Sequence, residues 1–320
     1  MIELSVIIVN WNSKDFVRGC LSSLYANCKS VSFEAIVVDG GSFDGCGEML
    51  AAAFPSAKFV QLEKNVGFAK ANNFAVHHAG GRRLLFLNPD TELLEDSVQV
   101  LMEQLKALPK AGAVGCRLLN ADRSLQLSSV MAFPTVLNQV INSDYLKTRF
   151  PNWKMWGIAP LFDKSRTPAA VEAISGACML VDRKIFESVG GFTEEYFMYG
   201  EDVDLCFKIS KAGYSVYHVP GTVMVHFGGG SSGQAKSNFS NVMMRESIHL
   251  FLRRSRGVLS AAVYRAAMAV SSVARLALIL VLLPFSRDRV VRHGGGSLRK
   301  WFSILRWGLG LESWVRSREG

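Results

Sequence analysis

The sequence predicts an α/β fold, a Rossmann-like and mainly parallel sheet with flanking helices, followed by amphipathic helices at the C-terminal end. Three observations carry this. Over the first 120 residues short β-branched runs alternate with helical patterns at a regular beat, as in strands joined by crossover helices. The apolar runs are nearly unbroken, which fits strands covered on both faces. The runs also end on polar residues, at the place where open sheets of this kind bind their ligands.

In order, the predicted strands are 5–11, 34–40, 58–63, 83–90 and 113–119, with helices at 14–26, 44–53, 67–79 and 95–108. Asp44 and Asp96 stand where an N-cap or a first-turn acid belongs. Residues 121–172 lose the beat and gain aromatics, prolines and cations, among them Trp153 and Trp156. A stretch of this length without pattern is usually functional, and acceptor contact is weighed here against a flap that covers apolar surface. The expected organisation is a catalytic domain over 1–250, divided into a nucleotide-binding half (1–120), a variable insertion (121–172) and an acceptor half (173–250). A basic, apolar, membrane-associating region follows over 251–320.

The charge is uneven in the same way. Of 36 Lys and Arg, 13 fall within 251–320 against 3 acids, so the tail carries +10 of the net +9 and the rest is −1. A basic patch confined to one end suits an anionic surface, lipid or nucleic acid. No nucleic-acid reader motif is present, so an anionic membrane surface is the expected partner and nucleic acid is not. The apolar run 276–285 is short for a span, and extending it backward takes in Arg275 and Arg265, each costly in a bilayer. A helix lying in the interface, with a second segment around Trp301, Trp307 and Trp314, is expected in preference to a span. The six cysteines show neither a C-x-x-C pair nor zinc-like spacing and read as buried, reduced thiols. With no leader pattern ahead of the first strand, the catalytic part is expected in the cytoplasm, at the inner face of the membrane.

The strand ends supply the candidate site. Val9, Asn10 and Asn12 close the first strand, and Asp39 closes the second in VVDGGSFDG, where a carboxylate can receive a ribose or nucleobase or can simply cap the turn. Asn65, Gly67 and Lys70 open the third helix, whose exposed amides suit a base or a phosphate. Asn88 and Asp90 flank Pro89 at the end of the fourth strand, and oxygen ligands there suit Mg²⁺ or Mn²⁺ carrying a diphosphate. Downstream, Glu201, Asp202 and Asp204 cluster in a first helical turn, and His226 follows the alternating run TVMVH. The helix end should keep Asp202 ionised at neutral pH, a ready but weak base. Trp153, Trp156, Tyr199 and Glu201 are candidates for the acceptor wall, and 228–233 with Lys236 for a lid.

Taken together, SVIIVNWN, VVDGGSFDG, NVGFAKANN, LFLNPD, GGFTEEYFMYGEDVDLC and VHFGGGS resemble the family-2 glycosyltransferases of GT-A fold, in particular their bacterial rhamnosyltransferase-like branch. The resemblance covers about residues 3–232. It implies an inverting, metal-dependent hexosyltransferase that uses a dTDP- or UDP-sugar on a lipid-linked saccharide acceptor, with a homo-oligomer left open. It implies that Asp39 binds the nucleobase, that Asp90 is the retained acid of a D-x-D metal motif, that Asp202 is the catalytic base and that His226 is a further metal ligand. Asn88 replaces the first acid of D-x-D, and Gly40 the usual Asn after Asp39. The competing expectation is a non-catalytic, degenerate transferase that holds a nucleotide sugar or scaffolds a complex.

Overall fold

The computed structural model describes residues 2–228, 238–282 and 289–312. The first half follows the predicted beat: β1 (Leu4–Asn10), α1 (Lys14–Asn27), β2 (Phe33–Asp39), α2 (Cys46–Ala53), β3 (Lys58–Gln61), α3 (Phe68–His77) and β4 (Arg83–Leu87). A three-residue β5 (Thr91–Leu93), α4 (Ser97–Ala107) and β6 (Ala111–Leu119) complete it. β4 ends three residues earlier than expected, ahead of Pro89, which has no N–H to donate to a ladder. Asp96 caps α4 as predicted by accepting from Gln99 N at 3.1 Å, a contact worth about 1 kcal/mol.

The 121–172 stretch is built of short pieces. These are β7 (Val130–Met131), α5 (Val136–Val140), α6 (Asp144–Arg149) and β8 (Ala169–Val171), with single 3₁₀ turns between. β9 (Ala173–Ile174), β10 (Cys178–Asp182), α7 (Arg183–Ser188), α8 (Glu201–Lys211) and β11 (Ser215–His226) follow, then α9 (Asn238–Arg256), α10 (Val258–Leu282) and α11 (Arg289–Gly308).

By its contacts the chain divides into two compact units. The first holds Met1–Phe133, Tyr145–Phe197 and Glu201–Gln234; the second holds Pro134–Asp144, Met198–Gly200 and Ala235–Gly320. The first unit is organised around a sheet of order β3-β2-β1-β4-β10-β6-β11-β5, with β8 also on β11. β1 is parallel to β2 and β4, and β6 is parallel to β11. β10 runs antiparallel between β4 and β6, and β5 antiparallel to β11. Val6 and Ile8 with Val17, Leu21 and Leu24 of α1 belong to one continuous buried core, while Ile7 is equally buried on the other face. That double coverage is why the strands read as unbroken apolar runs. All six cysteines are buried and unpaired. Burial pushes the Cys20 and Cys46 thiols up to about 12, so neither is a reactive thiolate at neutral pH.

The second unit gathers α9, α10 and α11 with α5 against α10. α10 is long and apolar enough to cross a membrane, with mean hydropathy 1.8. Residues 283–285 of the apolar run and Trp314, invoked above for this region, lie outside the described residues.

Candidate active site

Parallel pairing of β1 with β2 sets Asn10 beside Asp39 at the carboxyl edge of the sheet. Asn10 Nδ2 donates to Asp39 Oδ2 at 2.6 Å, and Asp39 Oδ1 accepts from Ser42 N at 2.6 Å. Ser42 Oγ in turn accepts from Asn12 N at 2.8 Å, and Asn12, at φ 49°, accepts from Phe43 N at 3.1 Å. Asp44 bridges Lys14 N and Cys46 N. Asp39, only 1 % exposed, is therefore first of all the clamp that shapes the 40–44 loop. The loop encloses a cleft of about 550 Å³ lined by Asp39, Ser42, Phe43, Asp44, Gln61 and Phe59, with Phe43 fully exposed at its rim. Val9 is half-buried in mid-sheet opposite Val38.

The α3 end differs from the expectation of exposed amides. Gly67 N donates to Asn65 Oδ1 at 2.9 Å and Phe68 N to Phe197 O at 2.9 Å, so the first two donors are already used. Gly67 sits at φ 86°, and a Cβ there would come within 2.5 Å of Phe197 O. The close approach it permits is to the chain's own backbone. Lys70 is exposed.

Antiparallel pairing of β11 with β5 puts His226 opposite Thr91, the residue after Asp90, and Phe227 N donates to Asp90 O at 2.9 Å. Asp90 Oδ1 and His226 Nε2 come to 3.2 Å, with Asn88 Nδ2 also 3.2 Å from Nε2. The tautomer follows from the neighbours. Asn120 Nδ2 donates to Leu125 O at 3.4 Å, which turns Asn120 Oδ1 toward Gln126 Nε2 at 3.0 Å. Gln126 Nε2 also donates to His226 O at 3.1 Å, so Gln126 Oε1 faces His226 Nδ1 at 2.8 Å and must accept from it. With Nδ1–H donating to Gln126, the ring turns Nε2 toward Asn88 Nδ2 and the Asp90 carboxylate. Adjacent ligands of an octahedral ion held at 2.0–2.1 Å lie about 3 Å apart, so Asp90 and His226 fit one edge of a Mg²⁺ or Mn²⁺ shell. Among the described residues no third His, Cys, Asp or Glu joins them.

The acidic cluster stands at the start of α8. Asp202 Oδ2 accepts from Gly176 N at 2.9 Å, and Oδ1 from Val203 N at 2.8 Å. Ala177 O, one peptide further on, accepts from Asn88 N at 3.0 Å. The turn ahead of β10 thus links Asp202 to the Asn88–Asp90 corner. Burial raises the Asp202 carboxyl above its ordinary value against the lowering backbone N–H bonds, the direction opposite to the one the helix end alone favours. Glu201 is 7 % exposed, and burial with the Asp202 charge beside it pushes it up to about 8. At neutral pH it keeps its proton. Asp204 serves structure: Thr193 Oγ1 donates to it at 2.6 Å, and Lys208 lies 3.7 Å away.

The aromatic candidates separate. Trp153, 44 % exposed, stacks between Phe150 and Trp156, while Trp156 is 3 % exposed and fills core. Tyr199 belongs to the second unit, at φ 70°. Of the lid stretch, 229–233 and Lys236 lie outside the described residues. Gln126, Ser42 and Gly176 were missed by sequence reasoning. Ser42 lies inside a quoted motif, but nothing local marks Gln126, which meets His226 from 100 positions away.

The family model described as glycosyl transferase family 2 matches residues 5–190, and one described as the N-terminal domain of galactosyltransferase matches 158–228. The N-acetylglucosaminyl-diphospho-decaprenol L-rhamnosyltransferase of Mycobacterium tuberculosis is 28 % identical over 72 % of this chain and 78 % of its own length. The rhamnosyltransferase WbbL of Escherichia coli is 27 % identical over 69 % of this chain and 82 % of its own. A mannosyltransferase from Pyrobaculum calidifontis, solved with GDP-Man and Mn²⁺, superposes with a TM-score of 0.58 at 16 % identity, covering 96 % of this chain and 87 % of that one. That likeness bears on the fold alone and agrees with the GT-A architecture. With a family model matched over more than half its length, the chain belongs to glycosyl transferase family 2.

Proposed function

We propose that the protein is an inverting, metal-dependent glycosyltransferase of cell-surface polysaccharide synthesis that moves rhamnose from dTDP-rhamnose to a hydroxyl of a lipid-linked saccharide at the inner face of the cell membrane. The names of the two rhamnosyltransferase relatives support the sugar, and that of the Mycobacterium tuberculosis relative supports a lipid carrier. In this reading residues 1–250 carry the transfer and 251–320 keep it near the membrane.

The observation that carries the reading is the short link from Asp202 through Gly176 and Ala177 to the Asn88–Asp90 corner. In this reading it brings a raised carboxyl toward the corner where a diphosphate-bearing cation would sit. Asp90 and His226 would hold the Mg²⁺ or Mn²⁺, which when bound neutralises charge developing on the leaving diphosphate. Asp202 takes the acceptor hydroxyl's proton as that oxygen bonds to the anomeric carbon, and the carbon–oxygen bond to the diphosphate breaks on the opposite face, inverting the centre. A carboxyl raised by burial is a better base than an ordinary one, provided it is ionised at the working pH. Glu201, protonated beside it, adds no second negative charge against which Asp202 would have to ionise. Asn10, Asp39 and Ser42 shape the loop that would receive the nucleoside, with Asn12 and Asn65 at its margins and Lys70 exposed on α3 as a further cation.

The test is a panel of nucleotide sugars with Mn²⁺ or Mg²⁺, read first as a rise in melting temperature and then as transfer to a lipid-linked saccharide. dTDP-rhamnose is expected to give both. A donor that binds without transfer or hydrolysis would favour the degenerate, scaffolding alternative for which Asn88 is the motive.

A further inference from the structure

α10 is inside out. Each of its exposed residues is Val, Leu or Ala, from Leu259 (78 % exposed) through Val270 (71 %) to Val281 (63 %). Its polar side chains face the other helices of the same unit: Tyr264 and Ser272 are fully buried, and Arg265 and Arg275 half-buried. A helix standing in water shows the opposite arrangement.

The two arginines that weigh against lipid contact in the sequence are sheltered. Arg265 lies over the Trp307 ring at 4.9 Å and donates to Trp307 O at 2.7 Å and Gly308 O at 3.3 Å, carbonyls at the end of α11. Arg275 lies over Trp301 at 4.2 Å and donates to Val140 O at 2.7 Å and Ser271 Oγ at 2.9 Å. Both charges are thus turned away from the exposed face and hydrogen-bonded, as charges near hydrocarbon must be.

We propose that α10 lies in the plane of one membrane leaflet, its Val/Leu/Ala face immersed among acyl chains and the neighbouring arginines among anionic headgroups. Its 25 residues give an apolar strip about 37 Å long at 1.5 Å per residue, ample for lengthwise contact with a leaflet. Arg253, Arg254 and Arg256 are exposed at its N-terminal end and Arg299 on α11, cations placed to meet anionic lipid. An in-plane pose is favoured over a crossing because crossing would carry the companions of α10, with Arg245 and Glu246 of α9, into the hydrocarbon. The inference stands on the second unit alone; it deepens the membrane part of the proposed function, while transfer itself does not depend on it.

The full-length protein tests it. Because the native cysteines are buried, Val263→Cys, Val270→Cys and Leu278→Cys can each be labelled singly with an environment-sensitive fluorophore, with Ala53→Cys on α2 as control. Vesicles of phosphatidylcholine with phosphatidylglycerol should shift all three α10 labels to the blue and leave Ala53→Cys unchanged. Lipids brominated at successive acyl positions should quench the three α10 labels at one shallow depth. Val270→Asp with Leu278→Asp should weaken vesicle binding by about tenfold or more while helicity by circular dichroism is kept. Depths graded from Val263 to Leu278 would mean a crossing helix. A blue shift without vesicles that grows with protein concentration would mean a contact between copies, and labels unmoved by either would mean a water-facing helix; each of these overturns the proposal.

Discussion

Gln126 Oε1 accepts from His226 Nδ1 at 2.8 Å, while the amide nitrogen of the same glutamine donates to the His226 carbonyl oxygen at 3.1 Å. The side chain grips the histidine by ring and backbone together and turns Nε2 toward Asp90 Oδ1, 3.2 Å away. Outer contacts of this kind typically govern a metal-binding histidine within a factor of 10–100 in affinity. Gln126→Leu is therefore expected to weaken Mn²⁺ binding, measured by calorimetry or paramagnetic resonance with dTDP present, by about 10- to 100-fold. His226→Ala should lose at least as much, and equal Mn²⁺ affinity in wild type and Gln126→Leu would remove Gln126 from the site.

The Glu201–Asp202 pair makes a prediction about pH. Glu201 has a folded value of about 8 against an ordinary 4.5, so the folded state binds the extra proton between those values and stability falls as pH rises through that window. Glu201→Gln, which mimics the protonated acid, should abolish this alkaline loss of melting temperature and keep transfer near wild type at pH 7. The acid limb of the rate profile reports Asp202 and should lie above the range of an ordinary carboxylate, in the direction that burial pushes it.

His218, fully buried in β11 with both ring nitrogens lacking a partner among the described residues, carries the opposite dependence. Burial, with Arg117 adding to it, pushes its value down to about 4 from 6.5. Between those values the unfolded chain binds more protons, so stability is complete above pH 6.5 and is lost as pH falls toward 4, by about 3 kcal/mol. Urea titrations from pH 7 to 4 should show this slope in wild type and lack it in His218→Leu.

Gly67→Ala tests the packing of the α3 start. A methyl group would meet Phe197 O at 2.5 Å on a backbone already at φ 86°, so a loss of about 2–3 kcal/mol is expected in chemical denaturation. Gly190, at φ 78° but with open space around it, should tolerate alanine better despite its similar backbone.

The parallel half of the fold was legible because each strand is covered on both faces and each helix keeps its apolar stripe, so local pattern and burial agree. β5 and β10 were not. β5 is three residues long and exists by pairing with β11, more than 130 positions later. β10 slots antiparallel between β4 and β6, an order that no local pattern specifies. At the site, residues at strand ends were readable by position: Asp39, Asp90 and His226 all lie at the sheet's carboxyl edge. What they do there depended on partners far along the chain. Asp202 was readable as a helix-end acid, but the burial that pushes its carboxyl upward comes from the enclosure of α8. Gln126 owes its position to the turn closed by the Leu119–Leu125 bridge and to the register of β11, neither of which leaves a local mark. Arg265 and Arg275 read as obstacles to lipid contact until α5 and α11 supplied the carbonyls that accept from them.

The most direct test of the account is the Asp202→Asn variant, assayed for rhamnose transfer from dTDP-rhamnose and, separately, for donor binding with Mn²⁺. The amide can still accept from Gly176 N but cannot take a proton from an acceptor hydroxyl at working pH. The account predicts that transfer falls by about 10²–10⁴-fold with donor affinity unchanged. Transfer close to the wild-type rate would contradict Asp202 as the base.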